Sequence, residues 1–306
     1  ARGAPAYSII AAYFLSEQRG KAFGILALST YFGQMLGYGA GPAIAAQEDW
    51  RMAFKLFGGI GLIVVMLAWL IIREPARTEQ PVVRQPIGPL SATLFRLPSF
   101  RAMSFGMGLG VLSGIAFGFW APTLFSRNYS MTMAEAGSAF GSAFVLPAMI
   151  GVIGFGFVSD RLARDNYGRM LLLSAISVGL ATACVLAATW SPTINIALLW
   201  AIPAGLFGGG WSVGIYASLQ YILPDHMRAT GTAIAMLAVN LLGFVVGPWL
   251  AGTLSGLLGE GADGLQQALT LVVPLGFVGA LLLWRASQAL VTDRVRLNAE
   301  PSEPLS

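Results

Sequence analysis

Gly156-Phe157-Val158-Ser159-Asp160-Arg161-Leu162-Ala163-Arg164-Asp165-Asn166-Tyr167-Gly168-Arg169 reads as a charge-dense turn between two long apolar runs. So many charges in one place must stand in water. The turn therefore marks a membrane boundary, and its flanks, residues 134–158 and 170–190, become spanning helices. The whole chain agrees with this solvent. Of its 306 residues, 56% are hydrophobic and 10% are charged, against about 25% charged in soluble domains. Mean hydropathy is +0.71. The 38 glycines suit closely approaching membrane helices.

Nine apolar runs follow one another: residues 4–15, 23–46, 54–72, 100–125, 134–158, 170–190, 194–223, 230–257 and 265–289. In lipid, runs of this length are helical, because the backbone has no water to bond. The first is too short for the roughly 20 residues a span requires, and no charged region precedes it as in a signal peptide. It reads as the end of a helix whose beginning is missing, so the chain reads as a fragment. Residues 74–98 carry Pro75, Pro81, Pro86, Pro89 and Pro98, and they read as a linker.

Loop charge orients the runs. One side takes Arg19, Lys21, Arg73, Arg77, Arg84, Arg96, Arg101, Arg161, Arg164, Arg169, Arg228, Arg285, Arg294 and Arg296. The other takes Arg51, Lys55 and Arg127. This bias predicts a cytoplasmic linker and a cytoplasmic C-terminus. There is also a repeat. Gly37-Tyr38-Gly39-Ala40-Gly41-Pro42 and Gly243-Phe244-Val245-Val246-Gly247-Pro248 are both Gly-x-x-x-Gly-Pro, and each follows a basic turn. Their separation is about one six-helix bundle.

Gly156-x-x-x-Asp160-Arg161 with Gly168-Arg169 resembles the loop signature of the major facilitator superfamily. Residues 5–14, the turn Arg19-Gly20-Lys21-Ala22, Asp49-Trp50-Arg51-Met52-Ala53-Phe54 and Arg73-Glu74-Pro75 look like its spinster-type branch and bacterial relatives. The resemblance implies an all-α membrane protein with the major facilitator fold, nine of twelve helices being visible. It assigns residues 1–73 to the second half of an N-terminal bundle and 74–98 to a cytoplasmic linker. Residues 99–290 form a complete C-terminal six-helix bundle, and 291–306 a cytoplasmic tail. It further implies alternating access around a central cavity, in a bacterial inner membrane. Spinster-type relatives are linked to lysolipid and sphingolipid export, and many superfamily members use protons. The family's acidic residue on the helix that opens this chain would fall just before residue 1, so proton coupling stays open.

Three residue sets follow. Asp160, with Gly156, Arg161, Arg164, Gly168 and Arg169, forms either a conformational latch toward the positive start of the eighth run or a solvated turn. Gly37, Gly41, Pro42, Gly243, Gly247 and Pro248 form packing grooves, hinges or both. Tyr31, Gln34 and Tyr38 share a helical face, and Tyr216 and Gln220 lie four apart. Together with Asn240 they are polar groups within spans, which face a cavity or a neighbouring helix. Ser113, Phe117 and Trp120 share another face and join the cavity list, although for the aromatics core packing is the stronger reading.

No visible run carries a charge at mid-membrane, which points to a neutral, zwitterionic or amphipathic cargo. The expectation is a monomeric secondary transporter of a small amphipathic or lipid-like solute, in contact with membrane lipids and coupled to protons or not. The alternative is a membrane scaffold or a lipid scramblase. Enzyme, nucleic-acid and cofactor readings have no support. There is no His-Glu-x-x-His, nucleophile elbow or P-loop, and the single His226 and Cys184 build neither a metal site nor an internal disulfide.

Overall fold

A computed structural model describes residues 16–71, 87–165, 167–223, 225–259 and 261–299, and these are helical nearly throughout. The helices are α1 (Ser16–Gln47), α2 (Trp50–Ile71), α3 (Ile87–Arg96) and α4 (Pro98–Asn128). Helix α5 (Met133–Phe140) passes through a π-helical turn (Gly141–Val145) into α6 (Leu146–Asp165). Then come α7 (Tyr167–Thr189), α8 (Ile194–Ile222) and α9 (Asp225–Ala238). A longer π segment (Val239–Val246) joins α9 to α10 (Gly247–Leu258), and α11 (Ala262–Val272) and α12 (Leu275–Ala299) close the fold.

Seven stretches among the described residues are long and apolar enough to cross a membrane, from Trp50–Ile71 to Ala262–Val295. The chain is a multi-pass membrane protein. The apolar run 4–15 lies outside the described residues. The run 23–46 falls in α1, which is 32 residues long with Pro42 inside it and is not one of the seven.

Three sequence readings need correction. The charged turn is not a loop, because α6 carries helix through Asp165 and α7 resumes at Tyr167. A helix bonds its own backbone as readily in water as in lipid, so it can extend past the membrane and expose its charges there. Of the expected linker 74–98, residues 74–86 lie outside the described residues and 87–96 are helical. Helix α3 places Pro89 in its first turn, where a missing N–H is tolerated, and it buries Leu94 against the bundle. The tail is also not free at its start, since α12 runs on to Ala299 and Leu290 and Asp293 are buried.

Helix α4 is the axis of packing. At one end Phe100, Met103 and Met107 join Leu171, Ile215, Leu223 and Leu283. At the other, Phe117 and Phe125 join Phe140, Val185, Leu265 and Leu269. Helices in lipid gain little from mutual apolar burial, so their association depends on close approach and polar contacts. Close approach is built from glycine. A Cβ at Gly205, Gly209 or Gly151 would overlap the carbonyl oxygen of Phe144, Ala148 or Leu206 respectively. The α8 backbone thus lies directly on α6 and the turn before it. The same device recurs between α4 and α12, where a Cβ at Gly279 would stand 2.7 Å from the Gly106 carbonyl oxygen.

Candidate functional site

Helix α1 presents Gln34, Gly37 and Tyr38 toward α4 and the α5–α6 stretch, and between them lies a cavity of about 360 Å³. Its α4 wall is Gly114, Ile115, Gly118 and Phe119. Phe140, Phe144 and Val145 come from the α5 end and its π turn, and Phe244 comes from the second π segment. Both π segments therefore border the same space. A π turn accommodates one extra residue and re-aims the side chains that follow it, which is why such turns collect at functional sites.

Five of the eleven wall residues are aromatic. Phe140 and Phe144 stack with centroids 4.9 Å apart, and Tyr38 meets Phe140 edge-on at 5.1 Å. The Tyr38 hydroxyl donates to the Gly118 carbonyl at 2.9 Å, so its donor is committed within the protein. Gln34 is exposed to the cavity, and its amide has no hydrogen-bond partner among the described residues. The site therefore offers one amide donor and acceptor in an apolar, ring-lined slot, which suits a largely apolar molecule carrying a polar group.

Of the nine residues expected on the cavity wall, Gln34 and Tyr38 are there. Tyr31 is half-buried and packs on the aromatic cluster around Phe140. Ser113 and Phe117 are buried in the bundle, at 2% and 0% exposure. Ser113 adjoins Gly276, and Phe117 contacts Phe125, Phe140 and Phe144. The indole N–H of Trp120 donates to the Pro248 carbonyl at 3.0 Å, tying α4 to α10. These three do share a face, but it is the face turned away from the cavity. At about 100° per residue, the wall residues Gly114, Ile115 and Gly118 stand on the opposite side of α4. Asn240 returns its amide to the Met236 carbonyl at 2.7 Å and is not on the wall. The side chains of Tyr216 and Gln220 lie outside the described residues. Replacing Trp120 by Phe removes the indole hydrogen bond and the part of the ring packed beside Gly252, and should lower stability by about 2 kcal/mol, read as a shift in thermal unfolding in detergent.

The missed wall residues had a signal. Gly106, Gly110, Gly114 and Gly118 recur every fourth position. A stripe of this kind marks the side of a helix that other chain approaches closely.

The two Gly-x-x-x-Gly-Pro segments differ in what they do. In the second, a Cβ on Gly243 would stand 2.5 Å from Val111 Cγ1, and one on Gly247 would stand 2.9 Å from the Leu112 carbonyl oxygen. It is a packing groove against α4. Pro248 follows the π segment directly, where the ladder already departs from α geometry. In the first, Gly37 and Gly41 meet nothing within 4 Å among the described residues, and Gly37 faces the cavity instead. At the charged signature, Gly156 is open, Arg161 and Arg169 are exposed and Gly168 is buried. The side chains of Asp160 and Arg164 lie outside the described residues.

An all-helical fold with a cavity where α1 meets the α4–α12 bundle is one observation, and comparison with known proteins supplies the other. Residues 3–245 match the description Major Facilitator Superfamily. The chain belongs to the Major Facilitator Superfamily. Members of this superfamily are transporters, not enzymes. The chain is similar to an MFS-type efflux pump of Mycolicibacterium smegmatis, with 26% identity over 92% of this chain and 66% of the pump. It is similar to Protein spinster homolog 1 of Xenopus laevis, with 25% identity over 96% of this chain and 61% of that protein. Among solved structures it resembles a bacterial homolog to the human lysosomal transporter spinster in an inward-facing and occupied conformation. The TM-score is 0.77 at 21% identity, covering 95% of this chain and 74% of that one. This superfamily chain thus spans somewhat under two thirds of the length of these curated relatives.

Proposed function

We propose that this chain is part of a secondary active transporter that moves a small amphipathic or lipid-like solute by alternating access. The observation that carries the reading is the slot between α1 and the α4–α12 bundle, with one free amide among phenyl rings. On this reading nine spans are present. Residues 1–73 belong to one bundle and 99–290 to the other, joined by 74–98, with 291–306 following. The protein sits as a monomer in a bacterial inner membrane, linker and C-terminus inside. The sorting of Lys and Arg to one side supports that orientation, and the bacterial efflux pump supports the membrane. Coupling to protons belongs to the same proposal.

The test is solute accumulation in vesicles carrying the intact protein. Uptake against a gradient that an uncoupler abolishes is the expected result. Equilibration that ignores the uncoupler would favour a scramblase and overturn active transport. Gln34→Ala should weaken solute affinity about tenfold, the equivalent of one hydrogen bond to a polar group, as measured by titration. Unaltered binding would remove Gln34 from the site. Asp160→Asn should leave folding intact and shift the balance between inward and outward states. Unchanged accessibility of cysteines placed on either face would leave the charged signature as a solvated helix end.

A further inference from the structure

Between Gly231 and Ser255 every fourth residue is buried: Gly231, Ala235, Val239, Gly243, Gly247, Ala251 and Ser255. None of the residues between them is. A plain α-helix cannot hold such a line against a bundle. Four residues turn it by about 400°, which is about 40° past a full circle. Six steps would carry the line about 240° round the helix. Helix α4, which is α-helical throughout, shows this drift in its own four-residue glycine line. Gly106 meets Gly279 and Leu283 on α12, Gly110 meets Val178 on α7, and Gly118 borders the cavity.

The path from α9 to α10 escapes the drift through its π segment, Val239–Val246, at whose end the Gly247 N–H donates back five residues to the Leu242 carbonyl. A π turn takes one residue more than an α turn, so it winds back what four-residue steps overshoot. The line therefore stays on the bundle, where Gly243 and Gly247 lie against Val111 and Leu112 of α4. The same winding decides where the next residue stands. Phe244 is exposed and borders the slot together with Gln34, Phe119 and Phe144. Wound as α-helix from Ala235, residue 243 would stand about 80° out of line. Phe244 would be carried round with it, off the wall.

We propose that the extra residue held in the Val239–Val246 π segment is what brings the Phe244 ring to the slot, and that this ring limits the bulk of the apolar group the slot admits. A chain-like or single-ring group passes, and a fused ring system is held back. This deepens the transport reading and rests on it for its purpose, while its test reads the slot alone.

The experiment uses the intact protein in detergent, with Cys184→Ser removing the native thiol and Gln34→Cys placing a reporter in the slot. It is reacted in parallel with N-ethylmaleimide and N-(1-pyrenyl)maleimide, one slim and one bulky. Phe244→Ala should raise the pyrene rate about tenfold and leave the ethyl rate within about twofold. Deletion of Leu241 lets the segment wind as α-helix, so the protein should fold and show the same gain. Deletion of Leu180, within the α-helix of α7, turns one half about 100° against the other and should leave no monodisperse protein. An unchanged pyrene-to-ethyl ratio in Phe244→Ala, or an equal rise with both reagents, would overturn the role of the ring. A Leu241 deletion that folds with the parent's ratio, or that fails to fold as the Leu180 deletion does, would overturn the role of the extra residue. The expected ratios in a protein that moves no solute would leave the inference standing and remove the transport reading alone.

Discussion

Gly205→Leu should prevent the α6–α8 pair from assembling, leaving little or no monodisperse protein after detergent extraction. A Cβ at 205 would overlap the Phe144 carbonyl oxygen, and Gly209 and Gly151 repeat the situation one turn away on each helix. Overpacking against flexible side chains is typically of order 1–3 kcal/mol. Here the obstacle is backbone within a helix, so the strain has to move a whole element, and the expected loss exceeds that range. Gly205→Ala should already lower thermal stability measurably. The control is Gly154→Ala. Nothing lies within 4 Å of a Cβ there, and alanine is the better helix former by about 1 kcal/mol, so that variant should be neutral or stabilised. Equal behaviour of Gly205→Ala and Gly154→Ala, by size-exclusion profile and melting, would contradict the packing described.

Asp293→Leu should destabilise the protein by about 3 kcal/mol. Helix α4 begins at Pro98 behind Leu97, which supplies no side-chain cap. The missing cap comes from the far end of the chain, where the Ser99 N–H donates to Asp293 Oδ2 at 2.8 Å. Asp293 is 2% exposed, so water does not take its place when it is lost. Leucine would leave a buried donor without that acceptor and remove a negative charge from the positive end of the helix. Asp293→Asn keeps an acceptor and loses only the charge, so its loss should be about 1 kcal/mol or less. Thermal unfolding in detergent separates the two. Similar melting for both variants would mean that the carboxylate acts through charge alone.

Seven of the nine apolar runs coincide with membrane-length helices among the described residues, and these were legible because lipid leaves the backbone one choice and charges a second. The run 134–158 corresponds to the spanning stretch Met133–Val158. Faces were less legible. Helical periodicity showed that Ser113, Phe117 and Trp120 lie together, but not which way they point, and the polar and aromatic character that argued for the cavity serves packing instead. The glycine stripe ending at Gly118 was the available sign: Gly106 and Gly110 pack against Gly279 and Val178, while Gly114 and Gly118, further along the stripe, leave room and border the cavity. Helix α3 was hidden by its prolines, although Ile87, Leu90, Leu94 and Leu97 repeat at helical spacing. The π segments left no trace, because one extra residue per turn changes geometry without changing composition. Pro248 hinted at the second alone. Asp293 lay beyond the last apolar run, where a lone carboxylate gives no sign that a distant helix start requires it.

The Trp120–Pro248 bond has a consequence for how this protein can change over time. A Cβ at Gly252 would stand 2.8 Å from Trp120 Cζ2, so the indole ring occupies the space a side chain at 252 would fill. The two positions are therefore historically linked. A lineage that enlarges residue 252 passes more easily through a smaller residue 120, because the indole ring would otherwise have to shift from its place against α10.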